Sequence, residues 1–505
     1  MNSFLRRALS GVCLAATLTL PACSSPWQEA PAADAPADTA TPDATAMLSA
    51  AELRQDLDQL YATLQSAHYD LYARRDRASY DALHARLHAR LDRPMSAEEA
   101  RLALQRFVAF GRVAHARIDL PFDRWAAFRE DGGKAIELSL RVQDGKVYVL
   151  SDPADADDVA PGDQVLAIDG QPALDWLDRI GELVSADNPY LLHAQMEGLL
   201  PFLTWLALGE VDGLQLELAD DGGASRQVWL PATTRADIEA AEAASRVPAS
   251  LDLSGRDARM LDGRIAYLRP GPFYDIRPEA DSPWDRSHFR AWLDEAFADF
   301  IAAGATDLLL DLRDNPGGDN SFSDLVLAWF ADEPFRFSPA FEIRVSAATV
   351  ASNQSRLDAL PEDAGGASAE MAALFQNQPM GSVVRYEIPL VAPREAPRFG
   401  GRVHVLVNRH SYSNAVSVAA IVQDYGFGRV LGEETADLAS TLGAMEHFTL
   451  ENSGFRVGYP KARILRPSGD ATPRGVVPDV ALAAPVVQGP DDPVLQAALA
   501  QIRAD

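Results

Sequence analysis

From Met47 onward the apolar positions follow two rhythms. In "SAAELRQDLDQLYATLQSAH", "SYDALHARLHARL" and "SAEEARLALQRFVAFGRV" they recur every three or four residues, and the first of these stretches opens on a capping serine. That spacing lays one apolar stripe along a helix, so Leu48 to Val113 predicts the helices of a small helical unit spanning 47–120. From Lys134 to Ala232 the rhythm shortens to alternation, as in "IELSLRV", "KVYVLS", "DQVLAIDG", "LQLELAD" and "RQVWLPA". Alternation of that kind predicts strands with one buried face, here a β unit over 130–235 with a helical insertion at Leu177 to Gly209.

A connector at 236–255 leads into a third unit, 256–490, where short apolar strands alternate with helices: "RIAYLRPGPF", "SHFRAWLDEAFADFIAAGA", "TDLLLDLR", "DNSFSDLVLAWFA", "RVHVLVN" and "SNAVSVAAIVQDYG". Strand and helix in alternation predict a layered α/β core. The stretch 339–398 loses this regularity and reads as an insertion or lid.

Ahead of Met47 the pattern is different in kind. "MNSFLRR" is a short basic segment, "ALSGVCLAATLTL" an apolar run too short to span a bilayer as a mature helix, and "LPAC" ends on Cys23. This is the layout of a secretory signal, and its end resembles a bacterial lipobox with Cys23 as the lipidated residue. Ser24 stands where sorting would look for Asp, which points to the outer membrane. Residues 24–46 are Ala, Pro, Asp and Thr with almost no large apolar side chain, a disordered tether reaching about 25 Å. The formal net charge of −28 argues against nucleic acid as a partner. The only cysteines are Cys13 and Cys23, so the folded units hold no disulfide, thiol catalyst or thiolate metal site. His84 and His88 stand four apart on one helix without an HExxH-type partner, and read as a solvated face; no metal or organic cofactor is implied.

Two turns carry candidate chemistry. "LLLDLRDNPGGD" puts Gly317 and Gly318 between a strand and a helix, where backbone N–H groups can face an anion. "NRHSYSNAV" puts Ser411 and Ser413 at another strand-to-helix turn, where a serine serves either as an N-cap or as a nucleophile.

These motifs carry two resemblances. "DDVAPGDQVLAIDG", with Asp163 and Gly170 in the pattern, is similar to a PDZ domain, although the usual "aGL" loop is missing. "DLRDNPGG", followed about ninety residues later by "VLVNRHSYSNAVSVAAIVQDYGFGRVLGEETA" and then by "RGVVPDV", resembles the C-terminal-processing peptidases, which include the tail-specific proteases and the tricorn core. The resemblance implies a ClpP/crotonase-like layered core. It also implies Ser413 as nucleophile, with the amides of Asn414 and of Gly317 or Gly318 as an oxyanion hole.

One departure decides how such a site would work. The tail-specific branch places a basic lysine 25 residues after the nucleophile, and that position is Leu438; the next lysine is Lys461. The histidine-using branches take their base from a segment ahead of the core, which here is "FGRVAHARIDLPF" and gives His115. Imidazole suits a hydroxyl at neutral pH. His410, on the serine's own turn, is the rival base. The orienting glutamate of the tricorn-like branch falls on Thr472, which leaves Asp470, Asp424 and Glu434 as candidates for a third member.

The expectation is a lipid-anchored, periplasm-facing serine peptidase that cleaves extended polypeptides through an acyl-enzyme. The alternatives are a catalytically inactive, peptidase-like binding lipoprotein, or a hydrolase of other esters and amides.

Overall fold

The structure is a computed structural model that describes residues 47–151, 158–219, 223–244, 253, 255–277, 279–280, 282–359, 366–487 and 491–504. Cys23 and the tether lie outside the described residues. Among those described, no helix is long and apolar enough to cross a membrane.

The core is a six-stranded sheet in the order Asp257–Met260, Ile265–Arg269, Asp307–Asp311, Arg402–Val407, Arg429–Gly432 and Val480–Ala481. Its first pair is antiparallel and the others are parallel. Strands covered on both faces read as unbroken apolar runs, and "DLLLD" is buried at all five positions. On one face Phe297, Val326, Ala419 and Val422 of the helices Ser287–Ala302, Asn320–Ala328 and Asn414–Tyr425 close the main core. On the other, Val494, Ala498, Leu499 and Ile502 of the helix Pro493–Ala504 cover Tyr267, Leu309 and Leu406. The core therefore runs past the expected boundary at 490, because without that helix the second face of the sheet would be bare.

A second sheet is antiparallel, in the order Val383–Glu387, Ala340–Arg344, Arg456–Ile464, Thr441–Thr449. The stretch expected as a lid supplies its first two strands together with the helices Ala347–Ala359 and Ala367–Phe375. The short strand Arg117–Ile118 pairs with Arg456–Ile464 through Ile118 opposite Val457.

The N-terminal helices Ala50–Ala67, Arg77–Arg90 and Ala97–Ala109 follow their sequence signals, and Ser49–Glu52 and Ser96–Glu99 each close a capping box. Their apolar stripes bury Leu53, Leu57, Leu104 and Phe107 together with Leu450, Phe455, Val457 and Tyr459 of the second sheet. The helical unit and the 441–464 hairpin are thus one core. The β unit is an antiparallel sheet of Ser139–Gln143, Lys146–Ser151, Gln164–Ile168, Gly213–Ala219 and Ser225–Pro231, covered by the helices Ala173–Gly181 and Pro189–Leu208.

Candidate active site

The strand Arg402–Val407 is central in the core sheet, so the turn that follows it emerges at the carboxyl end of a buried strand, where α/β folds place their sites. Ser411 is fully buried in that turn. Its hydroxyl donates to the carbonyl of Leu312 over 2.7 Å and accepts the Asn408 N–H over 3.1 Å. Asn408 in turn donates to Asp314, and the Tyr412 N–H donates to the Asn315 carbonyl. Ser411 therefore stitches the serine turn to the glycine turn and is a structural residue.

Ser413 stands first before the helix Asn414–Tyr425 with φ 51° and ψ −119°, and its side chain makes no capping bond. A non-glycine residue rarely adopts that backbone. Gly317 explains how the two turns come so close. A Cβ on it would stand 2.7 Å from the Asn414 nitrogen and 2.9 Å from the Ser413 Cβ, and its φ of +86° already excludes most residues. The Gly317 N–H is spent on Oδ1 of Asn315, over 2.8 Å. The Gly318 and Asn414 N–H groups have no acceptor among the described residues, so two amides on adjoining turns are open beside Ser413. Of the two glycines the sequence offered, Gly318 has the open donor and Gly317 has the conformation and clearance.

His115 is 5% exposed, and its ring stacks on that of Tyr412 at 6.1 Å between centroids and 20° between planes. The strand pairing of Arg117–Ile118 fixes this segment three hundred residues away in sequence. The rival, His410, is engaged elsewhere. Its Nε2 meets Oε2 of Glu197 over 3.0 Å, in a buried cluster with Arg141 and Arg409.

An acid that the sequence does not single out lies beside Ser413. Asp437 is fully buried; its Oδ2 accepts the Ser413 N–H over 2.6 Å and its Oδ1 the Leu438 N–H over 2.8 Å. Burial pushes its carboxyl up to about 6, against the pull of His115 and with an added push from Asp187. Asp187 is buried as well. It accepts the Ala114 N–H and pairs with Arg74. The apolar neighbours Ala114, Tyr412 and Ala436 share one buried cluster, which gathers His115, Ser413 and Asp437 from three distant segments. A sequence signal existed: Asp437 adjoins the position of the missing lysine.

The acids expected as third members are held elsewhere. Asp424 lies near the far end of the helix, about 16 Å along its axis from Ser413, and is clasped by Arg466. Glu434 pairs with the exposed Arg474, and Asp470 sits on an exposed surface turn where it accepts from Thr472.

Residues 264–482 match the model of peptidase family S41. No curated protein sequence matches the chain significantly. Among solved structures, the fold is similar to that of mature CPAF, with TM-score 0.59, 16% identity, and 86% of this chain and 93% of that one covered. It is equally similar to mature CPAF complexed with lactacystin, with TM-score 0.58, 16% identity and coverage of 86% and 94%. Over residues 264–482 the chain is therefore similar to peptidase family S41, in keeping with the resemblance of its motifs to the C-terminal-processing peptidases.

Proposed function

We propose that the chain hydrolyses peptide bonds of extended polypeptides, with Ser413 as nucleophile and His115 as general base. The observation that carries this reading is the stacking of the His115 ring on Tyr412, the residue next to a serine held at positive φ beside two open amides.

In the proposed cycle the Ser413 hydroxyl attacks the scissile carbonyl while its proton passes to His115. The carbonyl oxygen becomes an oxyanion that accepts from the Asn414 and Gly318 amides. The C–N bond then breaks as His115 returns the proton to the leaving amine. Water repeats the sequence on the ester and frees the acid and the serine. One oxyanion donor is worth about 3 kcal/mol of transition-state stabilisation.

The β unit supports a PDZ-like role, gripping an extended end as an added strand. Asp169 at φ 48° and Gly170 at φ 73° make the tight turn of the "IDG" motif, which closes the hairpin between Gln164–Ile168 and Gln171–Pro172. A cavity of about 560 Å³, lined by Val142, Leu174, Tyr190, Arg409 and Glu433, lies where this sheet meets the loop leading to Ser413. We place the mature protein on a lipid anchor at Cys23, facing the periplasm.

A second reading, a binding protein without peptidase chemistry, is favoured by Leu438 and Thr472 at positions where the family's branches carry a lysine or a glutamate. Incubating the purified chain with an unfolded polypeptide and reading the products by mass spectrometry separates the two. Cleavage that disappears in Ser413→Ala supports the peptidase. An intact polypeptide across pH 5 to 9 supports the binding protein.

A further inference from the structure

Position 472, where the resemblance expects a glutamate, is a threonine, and Asp470 beside it sits on an exposed turn, whereas the structure offers a buried acid from a different strap. We infer that Asp437 is the positioning acid of the Ser413–His115 pair, its carboxylate fixing the nucleophile's backbone and facing the charge that His115 acquires during turnover. This rests on the peptidase reading above.

The placement of Asp437 is built in. The Thr435 hydroxyl donates to the Asp437 carbonyl over 2.9 Å and accepts the Val476 N–H over 2.8 Å. The Thr435 N–H donates to the Val476 carbonyl and the Ala439 N–H to that of Arg474. Gly475 lies so close to the Thr435 carbonyl that a Cβ there would stand 1.9 Å from the oxygen. The "RGVVPD" motif, which resemblance links to a glutamate ahead of it, is thus zipped along 435–439 in this chain and fixes Asp437 beneath Ser413.

The charges facing that carboxylate come from three segments. His115 is attractive and Asp187 repulsive, and Asp187 is itself paired with Arg74. A buried carboxylate near an imidazole favours the imidazolium, so it strengthens His115 as a base and stabilises the ion pair formed when Ser413 loses its proton. Its bond to the Ser413 N–H also holds the strained backbone that aims the hydroxyl. One side chain would serve both purposes.

Asp437→Asn removes the charge and keeps one acceptor oxygen, for either the Ser413 or the Leu438 N–H. It is expected to lower kcat by about 10³-fold or more with little change in KM, and to move the acid limb of kcat/KM to lower pH by about one unit. The His115 ring, followed by NMR in wild type and variant, is expected to show the same downward shift. Thr435→Val, which removes the hydroxyl's bonds to the Asp437 carbonyl and the Val476 N–H and so loosens Asp437, should give a smaller change in the same direction and covers the case in which the first variant does not fold. An inert wild type whose His115 pKa still falls in Asp437→Asn would overturn the peptidase reading and leave this pairing standing. An unmoved His115 titration and an unmoved pH limb in both variants would overturn the pairing itself.

Discussion

The Ser413 N–H donates to Oδ2 of Asp437 over 2.6 Å, which joins the serine turn to a buried acid 24 residues further on. The bond uses the one backbone N–H of Ser413, a residue whose φ is 51°. The conformation of the serine and the ionisation of the acid are therefore linked, and several outcomes follow from that linkage and its surroundings.

Gly317→Ala should abolish turnover without unfolding the core. The added methyl would meet the Asn414 nitrogen and the Tyr412 carbonyl at 2.7 Å, so the serine turn must retreat and carry an oxyanion donor with it. A fall of about 10²–10³-fold in kcat is expected from the lost donor alone. Steady-state kinetics beside a thermal melt checks it; near-normal kcat would mean that the two turns are not coupled.

How much of this was legible in the sequence follows from what each feature depends on. The core strands and helices were readable because their burial is set locally: "DLLLD" can only be a strand covered on both faces. The roles of Ser413, Asn414 and the glycines are what the family resemblance implies, and the two turns were readable because each sits where a strand ends. Asp437 was not, since its role depends on the 474–476 strap pairing with 435–439, a contact between segments with no shared periodicity. The stretch 339–398 looked irregular because its strand Val383–Glu387 is at the edge of a sheet and half exposed. The shared core of the helical unit was hidden for the same reason as Asp437.

Asp437→Asn should gain stability relative to wild type as pH rises, while being slower. The Asp437 carboxyl is raised from 3.8 to about 6 by burial and by Asp187, against the pull of His115. The folded chain then binds a proton that the unfolded chain releases. Its contribution to stability is full below about pH 4 and is lost as pH rises through about 6. An amide has no such pH-dependent loss, although it can accept from only one of the Ser413 and Leu438 N–H groups, so the variant's stability relative to wild type should be about 1–2 kcal/mol higher at pH 7.5 than at pH 5. Denaturant midpoints at the two values decide it, and a variant less stable at pH 7.5 than at pH 5 relative to wild type contradicts it.

Glu197→Gln should loosen the loop that leads to Ser413. Burial alone would raise the Glu197 carboxyl, but His410, Arg141 and Arg409 hold it at about 2. A depressed acid stabilises the fold above its unfolded value of 4.5, and this contribution is lost as pH falls through 2. Breaking the cluster should therefore cost about 3–5 kcal/mol at neutral pH. The cost should shrink toward pH 3, as urea titrations at both values would show.

Phe455→Ala tests whether the helical unit stands alone. Phe455 is fully buried between the 441–464 hairpin and the N-terminal helices, with the Arg101 guanidinium 4.3 Å from its ring centre. Its loss should cost about 3–5 kcal/mol. Helical signal and peptidase activity should fall in one transition, because the same packing anchors Arg117–Ile118 and through it His115. A separate early transition of the helices would show that the unit is independent.

The central claim is that Ser413 is a nucleophile activated by His115. A fluorophosphonate probe tests it most directly on the full chain, by mass spectrometry of the labelled peptide. The account predicts one adduct, on Ser413 within "NRHSYSNAV", with labelling lost in Ser413→Ala and slowed at least about 10²-fold in His115→Ala at neutral pH. An unlabelled wild type, an adduct on another residue, or undiminished labelling of His115→Ala would contradict it.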